Sequence, residues 1–237
     1  MNRQGVLSGF DLKLIAAVLM LLDHILQYFP HAPLWFGYLG RTVAPVFFFL
    51  AVEGFFHTRS RPRYMAQLFG GALAMYVGSR ILTHLLPTAM GIPNNILLSL
   101  GLGVALMSTL EWTKDTGRYW TGIPIALAIG AVSLATEASL YGLAMILIFY
   151  FFRGDAMAMA AMYILASVVI SWPAGALTEA RILLFDYQWM MIFATPFFFL
   201  YNGKRGLGSE LAKWFFYIFY PAHIWIIYII YYLTSSA

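Results

Sequence analysis

The chain has 237 residues, 62% hydrophobic and only 10% charged, with a net charge of +4 and no cysteine. A soluble domain carries roughly a quarter charged residues and somewhat under half apolar ones, so a water-soluble surface is excluded; without cysteine, so are disulfides, thiolate metal sites and a Cys nucleophile. The mean hydropathy of +0.77 and the pI near 9.3 fit membrane segments joined by basic loops, with no nucleic-acid partner, because the cations are interspersed between apolar runs as membrane orientation requires.

In chain order the apolar runs are Leu12–Phe29, Leu34–Phe56, Tyr64–Leu86, Asn95–Leu110, Trp120–Thr136, Leu140–Phe152, Ala156–Trp172, Tyr187–Tyr201 and Trp214–Leu233. A span uses about 20 apolar residues, so spans and short loops consume the whole length as one transmembrane domain, 1–237. Backbone polar groups in a bilayer can pair only with one another, and barrel-type alternation is absent. The predicted fold is therefore all-α, a polytopic transmembrane helical bundle of about nine spans. The first run is too long for a signal-peptide core, no small-residue cleavage site follows it, and it reads as a retained span. The fifth and sixth runs are short and also allow one re-entrant hairpin. Pro45, Pro124, Pro196 and Pro221 fall inside runs and are expected to kink them.

Charge gives the orientation. With a cytoplasmic N-terminus, the inside segments carry Arg3, Lys13, Arg59, Arg61, Arg63, Lys114, Arg118, Arg153, Lys204, Arg205 and Lys213, eleven of the 14 cations. The outside loops carry Arg181, and Arg41 and Arg80 lie within spans.

Several ionisable groups sit where they are expensive. Asp23 and His24 are in the first span, Arg41 in the second with Glu53 and His57 towards its inner end, Arg80 and His84 in the third, and His223 in the ninth. Such residues face a bundle interior and mark functional paths. At 1.5 Å per residue, Asp23, Arg41 and Arg80 all lie about 10 Å below the outer ends of their helices, which predicts one polar level. Asn94, Asn95 and Glu137 lie just above it, at the outer mouth. Glu53, His57 and the basic loop to Arg63 form a second cluster at the cytoplasmic side. The structural alternative is that Asp23 with Arg41 or Arg80 is a buried ion pair fixing helix registry, and that Arg63 and its neighbours only orient the chain. Asp23, His24, His57 and His223 lack tight ligand spacing, so no metal site is expected. Asn202-Gly-Lys-Arg-Gly-Leu-Gly is a glycine-rich turn with two cations, a weak phosphate signal.

The chain resembles the TraX family at these residues. The matching stretches are Phe10-Asp-Leu-Lys-Leu-Ile, Met20-Leu-Leu-Asp-His-Ile, Gly40-Arg-Thr-Val-Ala-Pro-Val-Phe, Val52-Glu-Gly-Phe-Phe-His-Thr-Arg, Pro93-Asn-Asn-Ile, Tyr201-Asn-Gly-Lys-Arg-Gly and Phe216-Tyr-Ile-Phe-Tyr-Pro-Ala-His, in the family's order. Where the family often has Asp-Tyr-Gly before the sixth span, this chain has Glu137-Ala-Ser and keeps only the acid. The resemblance implies N-terminal acetylation of conjugative pilin or a related reaction: a transmembrane acyltransferase of the bacterial inner membrane, using cytosolic acetyl-CoA to modify a peptide amine or a glycan hydroxyl at the far face. Membrane lipids and a second copy of the chain are the further partners expected.

Acyl transfer needs a base for the acceptor and a donor for the oxyanion. His24 is the natural base and His223 the runner-up. Asp23 points about 100° away from His24 and is expected to pair with Arg41 or Arg80, which are candidates for the oxyanion or for an acceptor carboxylate. Asn94, Asn95 and Glu137 are the acceptor-binding candidates. His57, Arg59, Lys204 and Arg205, with Glu53 in a structural part, are expected around the donor's phosphates. The rival class is a proton-coupled transporter, built from the same intramembrane residue types but without the internal repeat many transporters show.

Overall fold

The computed structural model describes residues 5–172 and 187–235. Arg3 and Arg181, and the side chain of Lys213, lie outside that description. Helices α1 (Gly9–Tyr28), α2 (Trp35–Gly40), α3 (Val43–His57), α4 (Arg61–Leu85), α5 (Ile96–Thr116), α6 (Tyr119–Ser133), α7 (Ser139–Phe151) and α8 (Ala156–Ile170) are followed by a 3-10 helix, Tyr187–Ala194, then α9 (Thr195–Leu200) and α10 (Glu210–Ser235). No strand is present among the described residues, only an isolated bridge between Leu7 and Tyr201. The fold is all-helical, and every apolar run of the sequence falls on helix.

The α2–α3 unit (Trp35–His57), α5 and the Trp214–Ser235 part of α10 are long and apolar enough to cross a membrane. With the shorter apolar helices around them they make this a membrane protein. The shorter ones include α6 and α7, 15 and 13 residues; at 1.5 Å per residue α6 is about 22 Å long, less than a bilayer core of about 30 Å.

The second run is interrupted just before Pro45, a full break where a kink was expected. Pro45 has no N–H to offer the Arg41 carbonyl four residues earlier. The chain therefore leaves α2 at Arg41 and restarts at Val43, with the Thr42 hydroxyl donating to the Leu39 carbonyl at 2.7 Å. Pro124 and Pro221 stay inside α6 and α10, and Pro196 opens α9 in its first turn, where a missing N–H costs least.

α3 is the hub, buried along most of its length and packed on α1, α5, α7, α9 and the 3-10 helix. Phe49 meets Phe149, Phe198 and Tyr201 in edge-on or tilted contacts with centroids 4.9–5.7 Å apart. α1 closes one side of this core against α10 and α2. Its start is fixed twice. Ser8 and Asp11 form a reciprocal cap, and the Gly9 and Phe10 N–H groups donate to the Lys204 and Arg205 carbonyls at 2.8 and 3.0 Å. Leu7 is bonded to Leu200 and Asn202 in the same ladder. The glycine-rich turn is thus a brace for α1, with Gly203 and Gly206 at φ +77° and +75° supplying the left-handed conformations it requires.

Candidate functional site

His24 on α1 and His223 on α10 are each 5% exposed. Their rings face one another with His24 Nδ1 2.8 Å from His223 Nε2. His223 Nδ1 lies 2.7 Å from the Phe219 carbonyl one turn earlier, and Phe219 stacks on the imidazole at 4.7 Å. On the other side, Asn94, from the α4–α5 connection, brings its side-chain N–H within 3.3 Å of His24 Nε2. Gln27 holds Asn94 by a reciprocal amide pair, 3.0 and 3.2 Å. Every member of this cluster is uncharged when the imidazoles are neutral, a cheap way to keep polar groups inside an apolar bundle.

Asp23, one residue away, belongs to a different construction. Arg41 donates to its carboxylate at 2.6 Å, to Gln188 at 2.9 Å and to the Gly37 carbonyl at 3.4 Å, and its guanidinium lies over the Tyr187 ring. Gly40 packs so closely on Asp23 that a Cβ there would strike the carboxylate. Arg41 is therefore the partner of Asp23. Arg80 is not brought to this level site. It is exposed on α4 and makes no ion pair among the described residues, while its neighbour Ser79 is buried and accepts from the Trp225 indole at 3.1 Å. Depth along a helix fixes height only; the 100° step per residue fixes the facing. His84 is likewise exposed.

A cavity of about 480 Å³ leads towards the histidines from the end of the bundle where α1 begins. Its mouth carries Lys13, Arg59, Arg63 and Arg205 with His57; Phe47, Leu50, Leu68 and Leu100 line it further in; and it ends at Met20, Ile96, Phe219 and Tyr220. Met20 is one turn, about 6 Å, before His24 on the same helix face, and Tyr220 one turn before His223. The carboxylate on its wall, Glu53, is 4% exposed and bound by both arms of Arg153 at 3.1 and 3.2 Å, with the His57 ring 3.9 Å away. Glu53 is thereby neutralised, and the mouth keeps a positive balance. Lys204 does not line the cavity. It is exposed and its backbone is spent on the brace, while Gly203 and Arg205 on either side reach the wall.

Asn94, Asn95 and Glu137 meet as the sequence spacing suggested, at the end of the bundle away from that mouth. The Glu137 carboxylate accepts from the Asn95 backbone N–H and interacts with the Asn94 side chain and the Tyr220 hydroxyl. Glu137 keeps an open flank on the surface, but the helix ends desolvate its carboxyl and push it up to about 7, with the Asp23 charge acting the same way. Asn95 donates to the Ala72 carbonyl at 3.0 Å, which fixes the amide's orientation and leaves its buried Oδ1 without a partner. An unsatisfied buried acceptor costs about 1–3 kcal/mol.

Sequence reasoning missed Gln27, Tyr220, Arg153 and Gln188 as members of these clusters. Gln27 and Tyr220 had a usable signal, three residues from His24 and from His223, hence on the same helix faces. Arg153 and Gln188 are 100 and 147 residues from their partners, and no local pattern points to them. Among the described residues no group of side chains could hold a metal ion.

A family model described as TraX protein matches residues 8–231. A probable fimbrial assembly protein FimC, serogroup H1, of Dichelobacter nodosus is 28% identical over 94% of this chain and 96% of its own length. No solved structure matches the chain.

Proposed function

The chain belongs to the TraX family, and on that footing we propose that it is a membrane-embedded acetyltransferase, moving acetyl from cytosolic acetyl-CoA to an amine or sugar hydroxyl at the outer face. The observation that carries this reading is the cavity: cationic at its mouth, apolar above, and ending one helical turn from a buried histidine pair. Lys13, Arg59, Arg63 and Arg205 suit the phosphates of the donor, and the apolar walls suit its pantetheine arm. His24 takes the proton of the acceptor N–H or O–H as the acceptor's lone pair attacks the thioester carbon. The C–S bond then breaks, its electron pair leaves on sulfur, and the thiolate recovers the proton from His24. The Asn94 N–H beside His24 loses its acceptor once Nε2 is protonated and is then a donor for the tetrahedral oxyanion. The fimbrial name of the relative fits an acceptor among subunits of a surface appendage.

The same reading puts the chain in the bacterial inner membrane as about nine spans, N-terminus inside, so that the cationic mouth faces the acetyl-CoA pool. The chain has no cysteine, so single cysteines at positions 59 and 137 report sidedness without background. Labelling of position 137 from the cytosol would overturn the orientation.

Radiolabelled acetyl-CoA with the purified full chain in lipid nanodiscs tests the chemistry. Binding, with CoA released in the presence of an amine or sugar acceptor, is expected. No binding by the wild type, or full turnover by His24→Ala, overturns the proposal. Proton movement coupled to a solute in liposomes, without CoA release, would favour the transporter.

A further inference from the structure

The hydrogen bonds through the histidine pair admit one direction. The Phe219 carbonyl can only accept, so His223 Nδ1, 2.7 Å away, carries a hydrogen. In the neutral ring His223 Nε2 is then bare. His24 Nδ1, 2.8 Å from that bare nitrogen, must be the donor, since two lone pairs at this distance would repel. His24 Nε2 is left with its lone pair, and the Asn94 N–H at 3.3 Å points at it. That bare nitrogen orients Asn94 with its N–H towards His24, and Gln27 follows as the reciprocal partner of the Asn94 amide. The alternative tautomer of His24 would place an N–H against the Asn94 N–H and a lone pair against His223. The backbone of α10 therefore dictates which nitrogen of a histidine on α1 is basic.

We propose that His223 is the positioning residue for His24: it holds His24 as the Nδ1–H tautomer, so that the lone pair at Nε2, next to Asn94, is the proton acceptor in acetyl transfer. This rests on the acetyltransferase reading. His223 touches neither donor nor acceptor and is not a second base. When Nε2 takes the acceptor's proton and later returns it to the CoA thiolate, the Nδ1–H stays donated to His223 Nε2, and that bond becomes charge-assisted while His24 is an imidazolium. The role is the one a carboxylate fills in hydrolase triads. Here the nearby carboxylate, Asp23, is taken by Arg41, and a neutral orienter places no unpaired charge among α1, α10 and their apolar neighbours.

The test uses the full chain labelled with 15N-histidine in lipid nanodiscs. Nitrogen shifts in solid-state NMR separate protonated from bare ring nitrogens, and the five histidines are assigned by single substitution. The expected result is hydrogen on Nδ1 and a bare Nε2 for both His24 and His223. In His223→Phe, which keeps a ring against Phe219 but removes the acceptor, His24 should show Nε2–H tautomer. Its kcat should fall about 10–100-fold, as for lost orienting partners elsewhere, with the KM for acetyl-CoA unchanged. His223→Gln, whose carbonyl can still accept, should recover part of the loss. Hydrogen on His24 Nε2 in the wild type, or an unchanged kcat in His223→Phe, overturns the proposal. A wild type that binds no acetyl-CoA overturns the acetyltransferase reading instead, and the tautomers remain readable in that same sample.

Discussion

Asp23 and His24 are neighbours on one helix, yet they end in opposite kinds of site. Asp23 meets a cation at 2.6 Å whose other two nitrogens each donate as well, to Gln188 and to Gly37. His24 meets a neutral chain of partners, and its Nε2 lone pair accepts a long 3.3 Å contact from the Asn94 amide. The first arrangement pairs the two charges directly. It ties α1 to the break between α2 and α3 and to the 3-10 helix. The second leaves one basic nitrogen a turn away from a cavity. The lesson is that an ionisable residue in a bundle is not by itself a reactive one. What matters is whether its partners hold it by short, charged bonds or leave its basic atom in a long, neutral contact that an incoming group can displace.

The largest expected effect attacks the reactive half. His24→Ala should lower acetyl transfer by at least about 100-fold, the scale of general-base catalysis, with acetyl-CoA binding intact by equilibrium dialysis. The contrast with Asp23 breaks if Asp23→Asn costs as much turnover. The structural half should respond in stability. Asp23→Asn or Arg41→Gln should each cost about 1–3 kcal/mol through the unsatisfied partner left behind. Thermal denaturation in nanodiscs should show the double variant less destabilised than the sum of the two, as coupled partners behave.

Smaller effects belong to the cavity mouth. Arg63→Gln and Arg205→Gln should each raise the KM for acetyl-CoA several-fold, about 1 kcal/mol, with kcat unmoved and the difference shrinking at high salt. The smallest concerns Glu137. Its carboxyl, raised to about 7 in the fold against a model-peptide value near 4.3, binds more protons folded than unfolded. Stability from this group is therefore full below about pH 4 and declines as pH rises to about 7. Glu137→Gln should flatten the melting temperature across that window, and an unchanged slope would assign the dependence to other groups.

Most of the fold was legible because bilayer helices announce themselves by run length. The break at Arg41–Thr42 was not, since Pro45 reads equally as a kink or a restart. Part of the site was legible by height: Arg41 meets Asp23, and Asn94, Asn95 and Glu137 gather beside His24, whereas the contact of His24 with His223 was not foreseen. Facing was the weak point. Arg80 and His84 lie on the exposed side of α4, whereas Ser79 turns inward, and a run of mixed small and apolar residues carries little signal for rotation about the axis. Glu53 was read as a poor phosphate ligand on charge grounds, and its partner Arg153 supplies the structural role. Gln27 escaped notice because amides, unlike charges, are unremarkable in a span.

The brace between Leu7–Phe10 and Leu200–Arg205 bears on how the protein is made. Segments almost a whole chain apart must meet before Arg205 reaches the cavity wall. A ribosome emitting this chain from the N-terminus releases α1 long before its clasp exists, so the cationic mouth is among the last features to be completed. Nascent chains stalled before residue 200 should insert their early helices yet lack the completed mouth, so on the proposed function they should capture no acetyl-CoA.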